Sequence, residues 1–159
     1  MKPSNPDGFT LFELIVVLVI AGMMTVLVIP RLFNSVGHIE LKSAARQTIS
    51  LLHQARDMAY FQKKKIKVSL DLDAGQISVS EFADKKYVQV RNLAYSLPDG
   101  VRIRQFDKND EQVTDGTAEI YFFPNSNSTG GTLRLWNLKQ REYAVEVDFI
   151  TGNARIAEQ

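Results

Sequence analysis

The sequence predicts an α+β fold, with one long N-terminal helix laid on antiparallel β-sheet. Three observations predict it. Sixteen consecutive residues without charge run from Leu14 to Ile29. Apolar residues then recur at spacings of three and four as far as Phe61, the period of a helix with one buried stripe. From Ile66 onward the period drops to two and turn residues punctuate the chain, the pattern of strands and hairpins.

The uncharged run is as long as ~24 Å if helical, and its extension from Phe9 to Pro30 reaches ~33 Å, enough to cross a ~30 Å hydrocarbon core. A cleaved secretory signal peptide is the first alternative. The run is long for that role, and Met23, Met24, Val26 and Ile29 stand where small residues would be needed. A buried core helix is the second, but a domain of this size rarely surrounds a helix on every side. The run therefore reads as a membrane helix. Glu13 is the one carboxylate within it. An acid in hydrocarbon costs ~2.5–3.5 kcal/mol on insertion scales, so Glu13 either stays wet at headgroup level or meets a cation from elsewhere. No basic residue lies one helical turn away.

Gly8-Phe9-Thr10-Leu11-Phe12-Glu13-Leu14, then the apolar run, then Pro30, together resemble the type IV prepilin signature shared by type IV pilins and the pseudopilins of type II secretion. The resemblance implies a leader over residues 1–8, removed after Gly8 by a prepilin peptidase. It implies N-methylation of the new terminus at Phe9. It also implies that Glu13 neutralises the N-terminal amine of a neighbouring subunit during assembly. Charge flanking the span points the other way on orientation: Arg31, Lys42 and Arg46 follow it and only Lys2 precedes it, a bias that alone keeps the C-terminal part cytoplasmic. The family's topology, adopted here as the expectation, places that part in the periplasm.

Beyond the span, an amphipathic helix is predicted over residues 31–62. Leu41, Ala45, Ile49 (or Thr48), Leu52, Ala55 and Met58/Ala59 form its stripe, and Lys42, Arg46, His53, Arg56 and Asp57 fall mostly off it. Pro30 lacks a backbone donor and Gly22 weakens the same stretch, so a kink or soft segment is expected between them, within one helix. Lys63, Lys64 and Lys65 sit near the helix end, where cations suit its dipole.

Residues 63–159 read as a β-rich globular domain. Ile66–Leu70 and Gln76–Ser80 alternate around the turn Asp73-Ala74-Gly75, a hairpin. Tyr87–Val90 is a short strand. Pro98-Asp99-Gly100 turns the chain into Val101–Arg104, and Ala118–Phe123 is a strand ended by Pro124. Thr132–Leu138 and Glu142–Phe149 form a second hairpin, and Ala154–Ile156 adds a last strand after Thr151-Gly152-Asn153. Asn125-Ser126-Asn127-Ser128-Thr129-Gly130-Gly131 is the most flexible segment by composition, read either as a strand connection or as a contact loop at a filament tip.

Phe122-Phe123-Pro124-Asn125, Ser128–Leu133, Tyr143–Asp148 and Thr151–Arg155 resemble the globular domain of H-type minor pseudopilins, a domain shared by the related FimT-type minor pilins. The likeness is weak between Phe82 and Asp115. It implies a pilin-like fold and a structural subunit of the type II secretion pseudopilus, supporting export of folded proteins across the outer membrane. The implied partners are other major and minor pseudopilins, the prepilin peptidase, the inner-membrane assembly platform and membrane lipid. A minor type IV pilin serving pilus assembly or DNA uptake is the alternative.

Composition excludes several other classes. The chain has 159 residues, 45% of them hydrophobic and 23% charged, so one ordinary domain with a core is expected rather than disorder. It has no cysteine, which removes disulfides, thiol nucleophiles and Cys-ligated zinc. Its net charge of +1 gives no whole-chain attraction to nucleic acid. The segment Arg31–Lys67 carries eight Lys/Arg against two acids, and the chain from Val68 onward carries ten against fourteen. The C-terminal stretch Thr151–Gln159 holds a single Arg, where the resemblance to DNA-binding FimT-type subunits would want a basic motif, so DNA is not an expected partner. His38 and His53 make no ligand pair and have no nucleophile motif beside them. Asp71-Leu72-Asp73-Ala74-Gly75 lacks the spacing of a calcium loop and reads as a turn. Trp136 alternates with Leu133 and Leu135 on a strand and reads as core or sheet face. No cofactor, metal or catalytic residue is expected, and the chain does not read as an enzyme.

Overall fold

A computed structural model describes residues 10–83, 86–109 and 111–157, without the side chains of residues 25–38. The chain divides into two compact units, Met1–Val36 and Gly37–Gln159. Helix α1, Leu11–Gln62, enters both.

Within the second unit, α1 buries one face. Leu41, Ala44, Ala45, Thr48, Leu51, Leu52, Ala55 and Ala59 are enclosed, and Ile49 and Met58 pack at the edge of the cluster. The four alanines leave little bulk between helix and sheet, so the large side chains come from the strands. The helix stops at Lys63, which takes a left-handed conformation (φ 55°) and ends the run of helical hydrogen bonds. No basic residue lies in the last turn itself; Lys63–Lys65 follow just beyond it.

Among the described residues, nine strands form two antiparallel sheets rather than one. The first, sheet A, has the order β3-β2-β1-β6, with β1 Ile66–Asp71, β2 Gln76–Ala83, β3 Lys86–Ser96 and β6 Thr117–Phe122. The second, sheet B, has the order β5-β4-β7-β8-β9, with β4 Val101–Lys108, β5 Glu111–Val113, β7 Gly131–Asn137, β8 Glu142–Val147 and β9 Ala154–Ile156. Alternation sets which side chains face inward. Ile66, Val68 and Leu70 of β1 share the core with Ile120 and Phe122 of β6, and Leu133 and Leu135 of β7 share it with Phe106, Val145 and Val147. At ~1.5–3 kcal/mol for each large apolar side chain enclosed, this one cluster is the main driving force for folding the unit.

Both sequence-predicted hairpins are present, β1–β2 and β7–β8. β3 is longer than Tyr87–Val90. It pairs with β2 in two separately registered stretches, Lys86–Gln89 and Ala94–Ser96, with an irregularity opposite Val79. Asn92 takes a positive φ of 68°, and the strand resumes after it. β5 was not legible because it has three residues at an edge with no alternation of burial. Gly131, at the start of β7, has φ 133°, and a Cβ there would overlap the Phe106 ring, so this position requires glycine.

Candidate assembly site

The first described residues of the N-terminal unit form a capped helix turn. Thr10 Oγ accepts a hydrogen bond from the Glu13 amide at 3.2 Å, and the Thr10 carbonyl accepts from Leu14 at 3.2 Å. Thr10-Leu11-Phe12-Glu13 thus has the spacing of a capping box, which fixes where the helix starts and puts Glu13 in its first turn. A carboxylate there is favoured by the positive end of the helix dipole. Gly8 and Phe9 lie outside the described residues.

From Leu11 to Met24 the helix exposes its apolar side chains on every side. Leu14 is 58% exposed, Val17 58%, Leu18 63% and Met23 66%. Three to four positions per turn are open, so every described side chain of this segment is exposed. Among the described residues, no helix is long and apolar enough to cross a membrane. The expected span over residues 9–30 runs past the described side chains, which stop at Met24 on this stretch. Gly22 is helical, with nothing within 4 Å of a Cβ placed there. Pro30 is helical too, and its side chain is outside the described set.

The loop read as flexible is tied down. Among its residues only Asn125 is exposed, and Ser128 and Gly130 are buried. The Ser126 amide donates to the Phe123 carbonyl, and the Phe123 amide to Asn127. The Ser128 amide donates to Phe149, and the Thr129 amide donates to Tyr121. Ser128 Oγ donates to the Asp148 carbonyl at 3.0 Å and accepts from the Gly130 amide at 2.9 Å. Composition marks small polar residues as flexible, but here those residues supply the hydrogen bonds that join the loop to the β8–β9 turn.

That turn is also held against α1. His53 Nε2 lies 3.0 Å from the Ala154 carbonyl oxygen and 3.3 Å from its amide. Arg56 Nη1 donates to the Asn153 side chain. Gly152 (φ 62°) leaves no room for a Cβ, which would lie 2.5 Å from the Ser126 carbonyl. Asp148 Oδ1 accepts from Ile150, Thr151 N and Thr151 Oγ, and those bonds hold its carboxyl below the ordinary value. His53 is thus a helix-to-strand clasp. Asp71 and Asp73 serve turns: Asp71 Oδ1 accepts from Ala74 at 2.8 Å and Asp73 Oδ2 from Gly116 at 3.0 Å. Trp136 is half-buried on the outer face of sheet B, across from Arg102 and Glu142. Among the described residues no group of three or more His, Asp or Glu could hold a metal.

One cluster was not anticipated. On the outer face of sheet A, Lys65 Nζ lies 4.1 Å from the Tyr121 ring and 5.4 Å from Phe123, and Lys67 Nζ lies 4.8 Å from Tyr87. Lys67 also pairs with Glu119 at 2.9 Å, and Tyr121 O–H donates to the same carboxylate. Tyr121, with Lys67 behind it, lowers the Glu119 pKa, and the same bond pushes the Tyr121 phenol up to about 12. Phe82 and Tyr87 meet edge to face at 5.2 Å. The signal in sequence is the i, i+2 spacing of Lys65/Lys67 and of Glu119/Tyr121/Phe123. It becomes a cluster only once β1 and β6 are known to pair.

Comparison with known proteins follows from this geometry. Residues 44–151 match the family model described as type II transport protein GspH. Residues 4–29 match the prokaryotic N-terminal methylation motif. Two structures of the minor pseudopilin EpsH from the type II secretion system of Vibrio cholerae are similar. One has 17% identity and a TM-score of 0.64 over 74% of this chain and 94% of that one. The other has 15% identity and a TM-score of 0.65 over 74% and 95%. The Pseudomonas aeruginosa type IV minor pilin FimU, at 15% identity, has a TM-score of 0.56 over 76% of this chain and 90% of that one. At these identities the likeness is one of fold. Comparison with curated protein sequences finds no match. The family match spans more than half of the chain and the methylation motif precedes it, so the chain belongs to the GspH family of type II transport proteins, the H-type minor pseudopilins that its motifs resemble.

Proposed function

We propose that this chain works as a minor pseudopilin held in the inner membrane by a single pass over residues 9–30, with its head in the periplasm. Prepilin peptidase removes residues 1–8 between Gly8 and Phe9, and the Phe9 amine is methylated. The mature subunit then joins other major and minor pseudopilins on the inner-membrane assembly platform and supports export of folded proteins across the outer membrane. Its work is assembly, and no catalytic step is assigned to it.

The observation that carries this reading is the helix from Leu11 to Met24, whose apolar side chains are exposed on all sides, with a carboxylate fixed in the first turn. Lipid or other apolar helices are the natural cover. Glu13 is costly in that setting until it meets a cation, and the terminal ammonium of a neighbour is costly there for the same reason. Bringing the two together offsets both costs and sets the axial register between subunits. Gly22 and Pro30 supply a segment that can loosen as helices pack. The loop Asn125–Gly131 offers a contact mainly through Asn125, its exposed residue.

Two experiments test this. Glu13→Ala should still insert, since it removes a ~2.5–3.5 kcal/mol insertion cost, yet it should fail to co-assemble because a neighbour's amine is left unpaired. Normal assembly of that variant overturns the amine pairing. Separately, an in-frame deletion should abolish secretion of folded exoproteins, with recovery on complementation. Normal secretion would move the chain to a type IV pilus, with DNA uptake as the next assay.

A further inference from the structure

Strand pairing sets the side chains on the outer face of sheet A in rows. Lys67 of β1 stands between Ser80 of β2 and Tyr121 of β6. Lys65 begins the next row, because its carbonyl accepts a hydrogen bond from the Phe82 amide at 3.3 Å. Alternation then gives Phe82 and Phe123 the same face as Lys65, and Phe82 is paired on its far side with Tyr87. The rings touch in sequence: Phe82 meets Tyr87 at 5.2 Å, and Tyr87 meets Tyr121 at 6.0 Å. Lysines stand over them, Lys65 Nζ 4.1 Å from the Tyr121 ring and Lys67 Nζ 4.8 Å from the Tyr87 ring. At the end of α1, two residues before Lys65, Lys63 Nζ lies 4.0 Å from the Tyr60 ring.

The two carboxylates at this surface are already engaged. Glu81 pairs with Lys64 at 3.5 Å, and Glu119 pairs with Lys67 at 2.9 Å. Lys63 and Lys65 are exposed, and among the described residues neither has a carboxylate in ion-pair range. A ring beside an ammonium does not neutralise it. It holds the charge in place by ~0.5–1 kcal/mol at an exposed site and removes rotamer freedom that a loose lysine would lose on binding. Lys63 and Lys65, with Cα atoms at most ~7 Å apart, are therefore two preset cations. Phe82, 45% exposed, gives them an apolar shoulder.

We propose that this surface docks an acidic segment of another protein, with carboxylates on Lys63 and Lys65 and an apolar side chain against Phe82. Charge complementarity names the partner's chemistry, and the held lysines give the contact its specificity. Nucleic acid and lipid headgroups share the attraction to lysine but fit the surface less well. Base stacking needs open ring faces, and the rings of Tyr60, Tyr87 and Tyr121 already carry ammoniums. An even row of phosphates would also meet Glu81 and Glu119, whereas a peptide can place neutral side chains beside them. The inference concerns the surface of the head alone and does not depend on which filament the chain joins.

The test is photo-cross-linking of the full-length chain in cells that lack the native copy. The photoreactive residue p-benzoylphenylalanine replaces Phe82, and in a control it replaces Leu138, which is 80% exposed and outside the patch. Illumination should join the Phe82 position to a protein whose attached peptide carries clustered acids and an apolar residue, and the Leu138 position should not yield that adduct. Lys63→Glu with Lys65→Glu should lower the yield roughly tenfold, and Lys63→Gln with Lys65→Gln roughly threefold, with near-UV circular dichroism of the purified chain unchanged. Should the Glu pair perturb the fold, the Gln pair decides alone. Lysine in place of the mapped acids should restore the adduct of the Glu pair. An attached peptide without acids, a yield indifferent to the lysine variants, an adduct with nucleic acid or lipid instead of protein, or no adduct at all overturns the proposal.

Discussion

Thr48 lies on the buried face of α1, and its hydroxyl has no hydrogen-bond partner among the described residues. A helix carbonyl four residues back would be its usual partner. An enclosed, unpaired hydroxyl is a standing cost, so Thr48→Val should raise stability by about 1 kcal/mol. The measurement is the urea midpoint at unchanged m-value, and a lower midpoint would show that the hydroxyl is satisfied after all. Glu119 and Tyr121 give a pH prediction. The carboxyl is held below its ordinary 4.5, so its bonds stabilise the head at neutral pH, and that contribution is lost as pH falls from about 4.5 through the folded value. The phenol is raised from 10.0 to about 12, so its contribution is present below pH 10 and is lost as pH climbs toward 12. Tyr121→Phe removes the shared hydrogen bond. Its stability should therefore vary less with pH than the wild type on both limbs, as read from urea midpoints across the range.

At the scale of elements, the Asn125–Gly131 loop is tied to the β8–β9 turn by the Ser128 amide, which donates to Phe149, and by the Ser128 hydroxyl. Ser128→Ala leaves the buried Gly130 amide without its hydroxyl acceptor and removes one of the two donors to the Asp148 carbonyl, which keeps the Gly152 amide. A loss of about 1–3 kcal/mol is expected. Faster amide exchange should follow, confined to the residues around 126–130 and 148–153, whereas uniform exchange across the head would refute the local tie. This loop shows where sequence reading fails. Its residues are the ones that mark flexibility, and nothing local tells Ser128 that Asp148 will be beside it. The helix stripe and the strands β1, β2, β7 and β8 were legible because their side chains alternate between core and solvent at a fixed period. β5 and the second half of β3 were not, since edge strands that cover little core leave no period to read. The aromatic–lysine cluster needed the β1–β6 pairing, which joins residues more than fifty positions apart.

Over the whole molecule, the core formed by the described residues runs from Leu41 to Ala154, all within the unit Gly37–Gln159. A fragment beginning at Gly37 should therefore unfold in one cooperative transition with near-UV circular dichroism of a packed core. A broad transition, or a fragment that binds hydrophobic dyes as a loose globule does, would show that the N-terminal segment contributes to the fold. The division also accounts for what could be read of the assembly site. Glu13 could be singled out in the sequence because one carboxylate in an apolar run needs no tertiary structure to be noticed. The irregularity in β3 has a last consequence. Lys86–Gln89 and Ala94–Ser96 are each held to β2 on their own terms, while Val90 and Leu93 still reach the core and Arg91 and Asn92 face solvent. Residues gained or lost at Arg91-Asn92 would change the chain's length without sliding either ladder. This strand can drift in sequence more freely than its neighbours, and it is a tolerant place to insert an epitope.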